Sequence, residues 1–142
     1  MRGRLVTLAA VPLILLVTVT PLVAKKKSQN EESSWNIRIT PDSKAAGEGE
    51  KVINDTLILQ QGFLRSKVST DEHAFGTGPY TLKGKEITAQ IKSNYEGKID
   101  WSCLWTGDTI AGRMVWTRRD GTVLTYTFSG TRAPVEKVKK KR

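Results

Sequence analysis

From residue 51 to residue 130 apolar residues alternate with polar ones, Val, Ile, Thr and aromatics dominate, and Gly recurs at short intervals. Successive side chains of a strand point to opposite faces, so this period of two marks half-buried strands separated by turns. Ser34 to Thr40 shows the same alternation through Trp35, Ile37 and Ile39. After residue 24 no stretch repeats every 3.6 residues, so no helix is expected to cover the sheet.

The turns fix the register, because residues paired across two strands must share a face. A two-residue Gly107-Asp108 loop opposes Trp105 to Ile110, Cys103 to Gly112, Trp101 to Met114 and Ile99 to Trp116, all on one apolar face. At Arg119-Asp120-Gly121 a two-residue loop would set inward Trp116 against outward Thr125. A three-residue loop with left-handed Gly121 opposes Trp116 to Leu124 and Met114 to Tyr126, and is preferred. Gly84-Lys85 pairs Leu82 with Ile87 and Tyr80 with Ala89, and Gln61-Gly62 pairs Leu59 with Leu64.

The expected fold is all-β: an antiparallel up-and-down meander of about eight strands, 34–40, 55–61, 63–68, 78–83, 85–93, 97–105, 109–117 and 122–130. A sheet with one apolar face and no helix to cover it must curl up or pair with a second sheet. Closure into a small barrel also removes the edges and is preferred; a two-sheet sandwich is the alternative. Ser69–Thr77 and Pro41–Glu50 read as loops.

This pattern resembles small exported bacterial proteins of unassigned function with a lipocalin-like (calycin-like) barrel. The resemblance runs over Asp55-Thr56-Leu57, Phe63-Leu64-Arg65-Ser66, Gly76, Tyr80, Ser93, Gly97, Trp101, Gly112, Trp116, Gly121, Tyr126, Phe128 and Gly130. It covers about residues 51–132. Lipocalins carry Gly-x-Trp near the first strand, where this chain has Ser33-Ser34-Trp35, and an Arg after the last strand that lies over the Trp. The resemblance gives that place to Arg132. It implies a fold and no particular ligand.

The ends of the chain differ from its middle. Arg2 and Arg4 precede twenty uncharged residues, Leu5 to Ala24, that close on Leu22-Val23-Ala24. Residues 1–24 therefore read as a cleavable signal peptide and the chain as exported, periplasmic or secreted. Twenty apolar residues also suffice for an uncleaved anchor, and Lys25-Lys26-Lys27 directly after them resists translocation, so membrane anchoring by residues 5–24 is the alternative. Residues 25–33 form a polar linker and 133–142 a basic disordered tail.

The formal charge of +9 invites a nucleic-acid reading, but residues 34–132 hold 13 Lys/Arg against 11 Asp/Glu, only +2. The rest lies in the flanks, which makes nucleic acid an unlikely partner and an anionic envelope surface a candidate one. Lys137, Lys139, Lys140, Lys141 and Arg142 are the candidate contacts.

No catalytic pattern is present. Cys103 and His73 are the only residues of their types, which precludes a disulfide within the chain and an ordinary structural zinc site. Cys103 is expected mid-strand facing the core and His73 in solvent, so a nucleophilic pair is disfavoured. Asp55, Ser66 and Tyr80 are candidates for a polar cluster at one barrel end. Gly76-Thr77-Gly78 lacks the helix and Lys of a phosphate loop. No cofactor or metal is implied, and the oligomeric state is not legible.

The best candidate for a site is the aromatic face. Trp101, Trp105, Met114, Trp116 and Tyr126 are expected to line a cavity for a small apolar or amphiphilic ligand, or else to form a packed core. Gly112 opposite Cys103 removes side-chain volume and is expected to favour a void. The leading reading is a non-enzymatic envelope protein binding such a ligand. The alternative is a structural or interaction protein that uses its basic tail on an anionic surface.

Overall fold

The computed structural model describes residues 32–134. In chain order the elements are β1 (Ser33–Pro41), α1 (Ser43–Gly47), β2 (Ile53–Gln60), β3 (Phe63–Ser66), α2 (Lys67–His73), β4 (Gly78–Lys83), β5 (Glu86–Ser93), β6 (Gly97–Thr106), β7 (Thr109–Thr117) and β8 (Val123–Arg132). The eight strands form a closed antiparallel barrel in sequence order, β8 returning to β1. Each neighbouring pair shares its inward positions, so the alternation in the sequence becomes one continuous core. Trp35, Leu57, Leu64, Ile91 and Leu124 are fully buried in it. Among the described residues no helix is long and apolar enough to cross a membrane.

The registers read from the turns are those of the barrel. Trp101 opposes Met114 and Trp105 opposes Ile110, Trp116 opposes Leu124, Leu82 opposes Ile87, and Leu59 opposes Leu64. Gly121 adopts φ +87°, as the three-residue loop requires.

Three expectations need correction. The strand expected to run to residue 68 ends at Ser66, and Lys67–His73, read partly as strand and partly as loop, is helix α2. Ser66 caps it, its hydroxyl accepting from Ser69 N at 3.1 Å. The loop Pro41–Glu50 contains the short helix α1, capped by Asp42 Oδ1 accepting from Ala45 N at 2.8 Å. Gly112 does not open a void. A Cβ there would sit 2.1 Å from Ser102 O and 2.5 Å from Cys103 Cβ, so the space belongs to the neighbouring backbone.

Because the strand number is even, β1 and β8 close the barrel with both ends of the described chain on one side. Trp35 is paired with Arg132, and Ala133 N donates to Ser34 O at 2.7 Å. This terminus end also carries the β2–β3, β4–β5 and β6–β7 turns; the helical end carries α1, α2 and the β5–β6 and β7–β8 turns.

Candidate functional site

The five residues expected to line a cavity all contribute to the interior or its rim, at three levels. Trp105, half-buried, stands at the terminus end; its Nε1 donates to Gly107 O at 2.6 Å. It meets Trp35 edge-on at 5.9 Å between centroids, and the Arg132 guanidinium lies over both rings, 5.1 Å from Trp35 and 5.4 Å from Trp105. The Trp35–Arg132 contact implied by the resemblance is therefore present, extended to a second ring. The arrangement closes that end with a cation over two π faces.

Trp101 lies midway, 1% exposed, edge-on to Phe128 at 5.2 Å. Its Nε1 has no hydrogen-bond partner among the described residues.

Met114, Trp116 and Tyr126 occupy the helical end, where α2 and its following loop bring His73 and Phe75 against Trp116, at 5.5 and 6.1 Å between centroids. Trp116 Nε1 donates to Glu96 O at 2.8 Å, and the Arg118 guanidinium lies 4.7 Å from its ring centroid. Arg118 also pairs with Glu50 at 2.5 Å, bridging the α1–β2 loop to the β7–β8 turn. Burial holds the Tyr126 phenol above its ordinary pKa, and the nearby Glu50 carboxylate adds to that rise. The hydroxyl is buried and makes no close hydrogen bond among the described residues.

What remains empty here is small. A cavity of about 30 Å³ lies between Asp55, His73, Phe75, Met114, Trp116 and Tyr126 among others, room for a water molecule. Around it the described core is packed, Trp35, Trp101, Ile91, Leu124 and Tyr126 being each at most 1% exposed in one cluster, as eight-stranded barrels of this size can be. A larger recess, about 650 Å³, is open and external, between α2 and the outer faces of β1, β2 and β8. Its charged lining residues are Arg38 and Lys67 against Asp55, Asp71 and Glu72, one carboxylate in excess.

The polar cluster expected around Asp55 is partly present. The Ser66 hydroxyl donates to Asp55 Oδ2 at 2.5 Å, and Ser69, missed in the sequence, joins it through its Oγ at 2.7 Å from that of Ser66. All three side chains are buried. Among the described residues no imidazole hydrogen-bonds to the Ser66 hydroxyl, whose proton points at a carboxylate that also accepts from Thr56 N and Val68 N. The cluster fastens α2 to β2.

Cys103 faces the core, 3% exposed. His73 is on α2 rather than in a solvent loop, against Trp116, which pairs with Ile99, four positions along β6 from Cys103. At about 3.4 Å per residue, Ile99 and Cys103 lie roughly 14 Å apart along the strand. Burial pushes the thiol up to about 12. Cys103 is expected to ignore a disulfide reagent such as DTNB at pH 8 in the native protein and to react once unfolded. Fast native labelling would refute the buried assignment. An unfolded thiol ionises near pH 9 while the folded one stays protonated, so this group's contribution to stability falls as pH rises between those values.

Among the described residues no three His, Cys, Asp or Glu side chains gather to hold a metal ion. The candidate tail contacts, Lys137 to Arg142, and the signal or anchor at residues 1–24 lie outside the described residues. Comparison with known proteins adds no relative: no family model, no curated protein and no solved structure matches this chain.

Proposed function

We propose that this chain is an exported, non-enzymatic envelope protein whose packed barrel presents basic flanking segments to an anionic surface. The observation that carries this reading is the filled interior. About 30 Å³ of enclosed space falls far short of the roughly 300–1,000 Å³ of a small-molecule site. Charge points the same way: of +9 in all, +2 belongs to residues 34–132 and the remainder to the flanks.

The interior-ligand reading keeps one observation in its favour, the unpartnered Tyr126 hydroxyl and Trp101 Nε1. A ligand larger than water would have to displace α2, and that loss of packing must be set against the binding.

Co-sedimentation with vesicles tests the surface reading. The full chain is expected to prefer phosphatidylglycerol-containing vesicles over pure phosphatidylcholine. Replacing Lys137, Lys139, Lys140 and Lys141 by Glu should abolish the preference. At about 1 kcal/mol per basic residue near an anionic surface, removing four such contacts costs roughly 4 kcal/mol. Raising salt toward 1 M, where the Debye length falls to about 3 Å, should act likewise. Equal binding to both vesicle types, or a preference that survives the substitutions, refutes the proposal.

A further inference from the structure

Closure of the barrel fixes where the two flanks begin. Residue 33 opens β1 and residue 132 ends β8, and the Ala133–Ser34 hydrogen bond of 2.7 Å sets the departing chain beside the arriving one. An odd strand number would have sent the flanks from opposite ends; this topology does not.

The consequence is a charge asymmetry along the barrel axis. At the terminus end, segments 60–62, 83–86 and 106–109 with Arg132 hold three Lys/Arg against two Asp/Glu, and the sequences that continue from this end, 25–33 and 133–142, contain eight against three. At the helical end, segments 42–52, 67–74, 94–96 and 118–122 hold five Lys/Arg against seven Asp/Glu. The rim at the terminus end is itself nearly balanced, Lys83, Lys85 and Arg132 facing Glu86 and Asp108, so the flanks set its sign. Exposed apolar side chains occur at both ends: Phe63 and Leu104 stand toward one, Val52, Tyr95 and Val123 toward the other.

Chain length adds a second constraint. Eight residues, or nine Cα-to-Cα steps, separate Ala24, the last of the apolar run, from Ser33. Fully extended, they span about 30 Å. With the apolar run in a bilayer, the terminus end cannot stand farther than that from it, and the basic tail starts from the same end.

Resting on the surface reading above, we propose that the partner is an anionic lipid bilayer and that the barrel docks on it end-on. The terminus end faces the lipid, and α1, α2 and the Glu50–Arg118 bridge face away. An anionic lipid surface attracts the basic flanks, while the helical end, with its excess of carboxylates, is repelled.

Paramagnetic broadening of amide signals by spin-labelled lipid tests this on the full chain in bicelles containing phosphatidylglycerol. Gly62, Gly84 and Gly107, in turns at the terminus end, are expected to lose more than half their intensity. Gly97 and Gly121, at the helical end, should keep theirs. Broadening concentrated at Gly97 and Gly121, or spread evenly over both ends, overturns end-on docking. If co-sedimentation still shows the phosphatidylglycerol preference, the surface reading stands without it. Loss of that preference removes both.

Discussion

Gly130→Ala is expected to lower the unfolding free energy by about 3 kcal/mol, at the upper end of what overpacking a tight interior costs. Gly130 lies in β8 at the seam that closes the barrel, opposite Ile37 of β1. A Cβ built there would sit 2.0 Å from Asn36 O and 2.7 Å from Ile37 Cα. Both are backbone atoms in paired strands, so no flexible side chain can swing aside. Either the β1–β8 ladder parts locally or both strands shift. Replacing Gly by Ala also restricts the unfolded chain, which favours folding by about 0.4–1 kcal/mol. That gain is smaller than the clash. Gly47→Ala in α1 is the control: nothing lies within 4 Å of its Cβ, and the change should be neutral or slightly stabilising. Urea denaturation of the two variants separates steric closure from a general effect of losing glycine. A Gly130→Ala midpoint equal to that of the parent would show that the seam is looser than described.

The same seam shows what could be read from the residues beforehand. Hairpin registers were legible because each turn offers few lengths and only one keeps apolar residues on one face. The three-residue loop before Thr122 was chosen on that ground alone, and Trp116 does oppose Leu124. Closure itself was preferred because edges are costly, and eight strands then place both termini at one end without further information. Helix α2 was not legible. Lys67–His73 has a single large apolar residue, Val68, in seven, too few for a period of 3.6 to show. Its signal was Ser66 as a capping residue, which in the sequence looked like the end of a strand. The aromatic face was recognised, but not whether it enclosed a space. That depends on how α2 and Phe75 fill the helical end, a contact made across the fold.

That dependence makes Asp55 the second site where one substitution should have a large effect. Asp55 reaches from β2 to the start of α2. Its Oδ1 accepts from Val68 N at 2.9 Å and from Thr56 N at 2.6 Å, and its Oδ2 accepts from the Ser66 hydroxyl at 2.5 Å. Val68 N is among the first amides of the helix, which have no acceptor within it. A seven-residue helix has little stability of its own, so this contact and the Ser66 cap hold it in place. Asp55 is 6% exposed, so water cannot readily replace it. Asp55→Ala leaves buried donors unsatisfied and is expected to cost about 2–4 kcal/mol. Asp55→Asn keeps the shape and one oxygen but turns the other position into a donor facing a donor, and should cost about half as much. Amide exchange locates the effect: the protection of Val68 and Ser69 should fall further than that of Trp101 in β6, whose ladders to β5 and β7 do not involve Asp55. Because α2 covers the cavity beside Trp116 and Tyr126, its release should also admit water there and shift Trp116 fluorescence to longer wavelength. A loss under about 1 kcal/mol, with Val68 still protected, would mean that His73 and Phe75 packing on Trp116 holds the helix without the carboxylate.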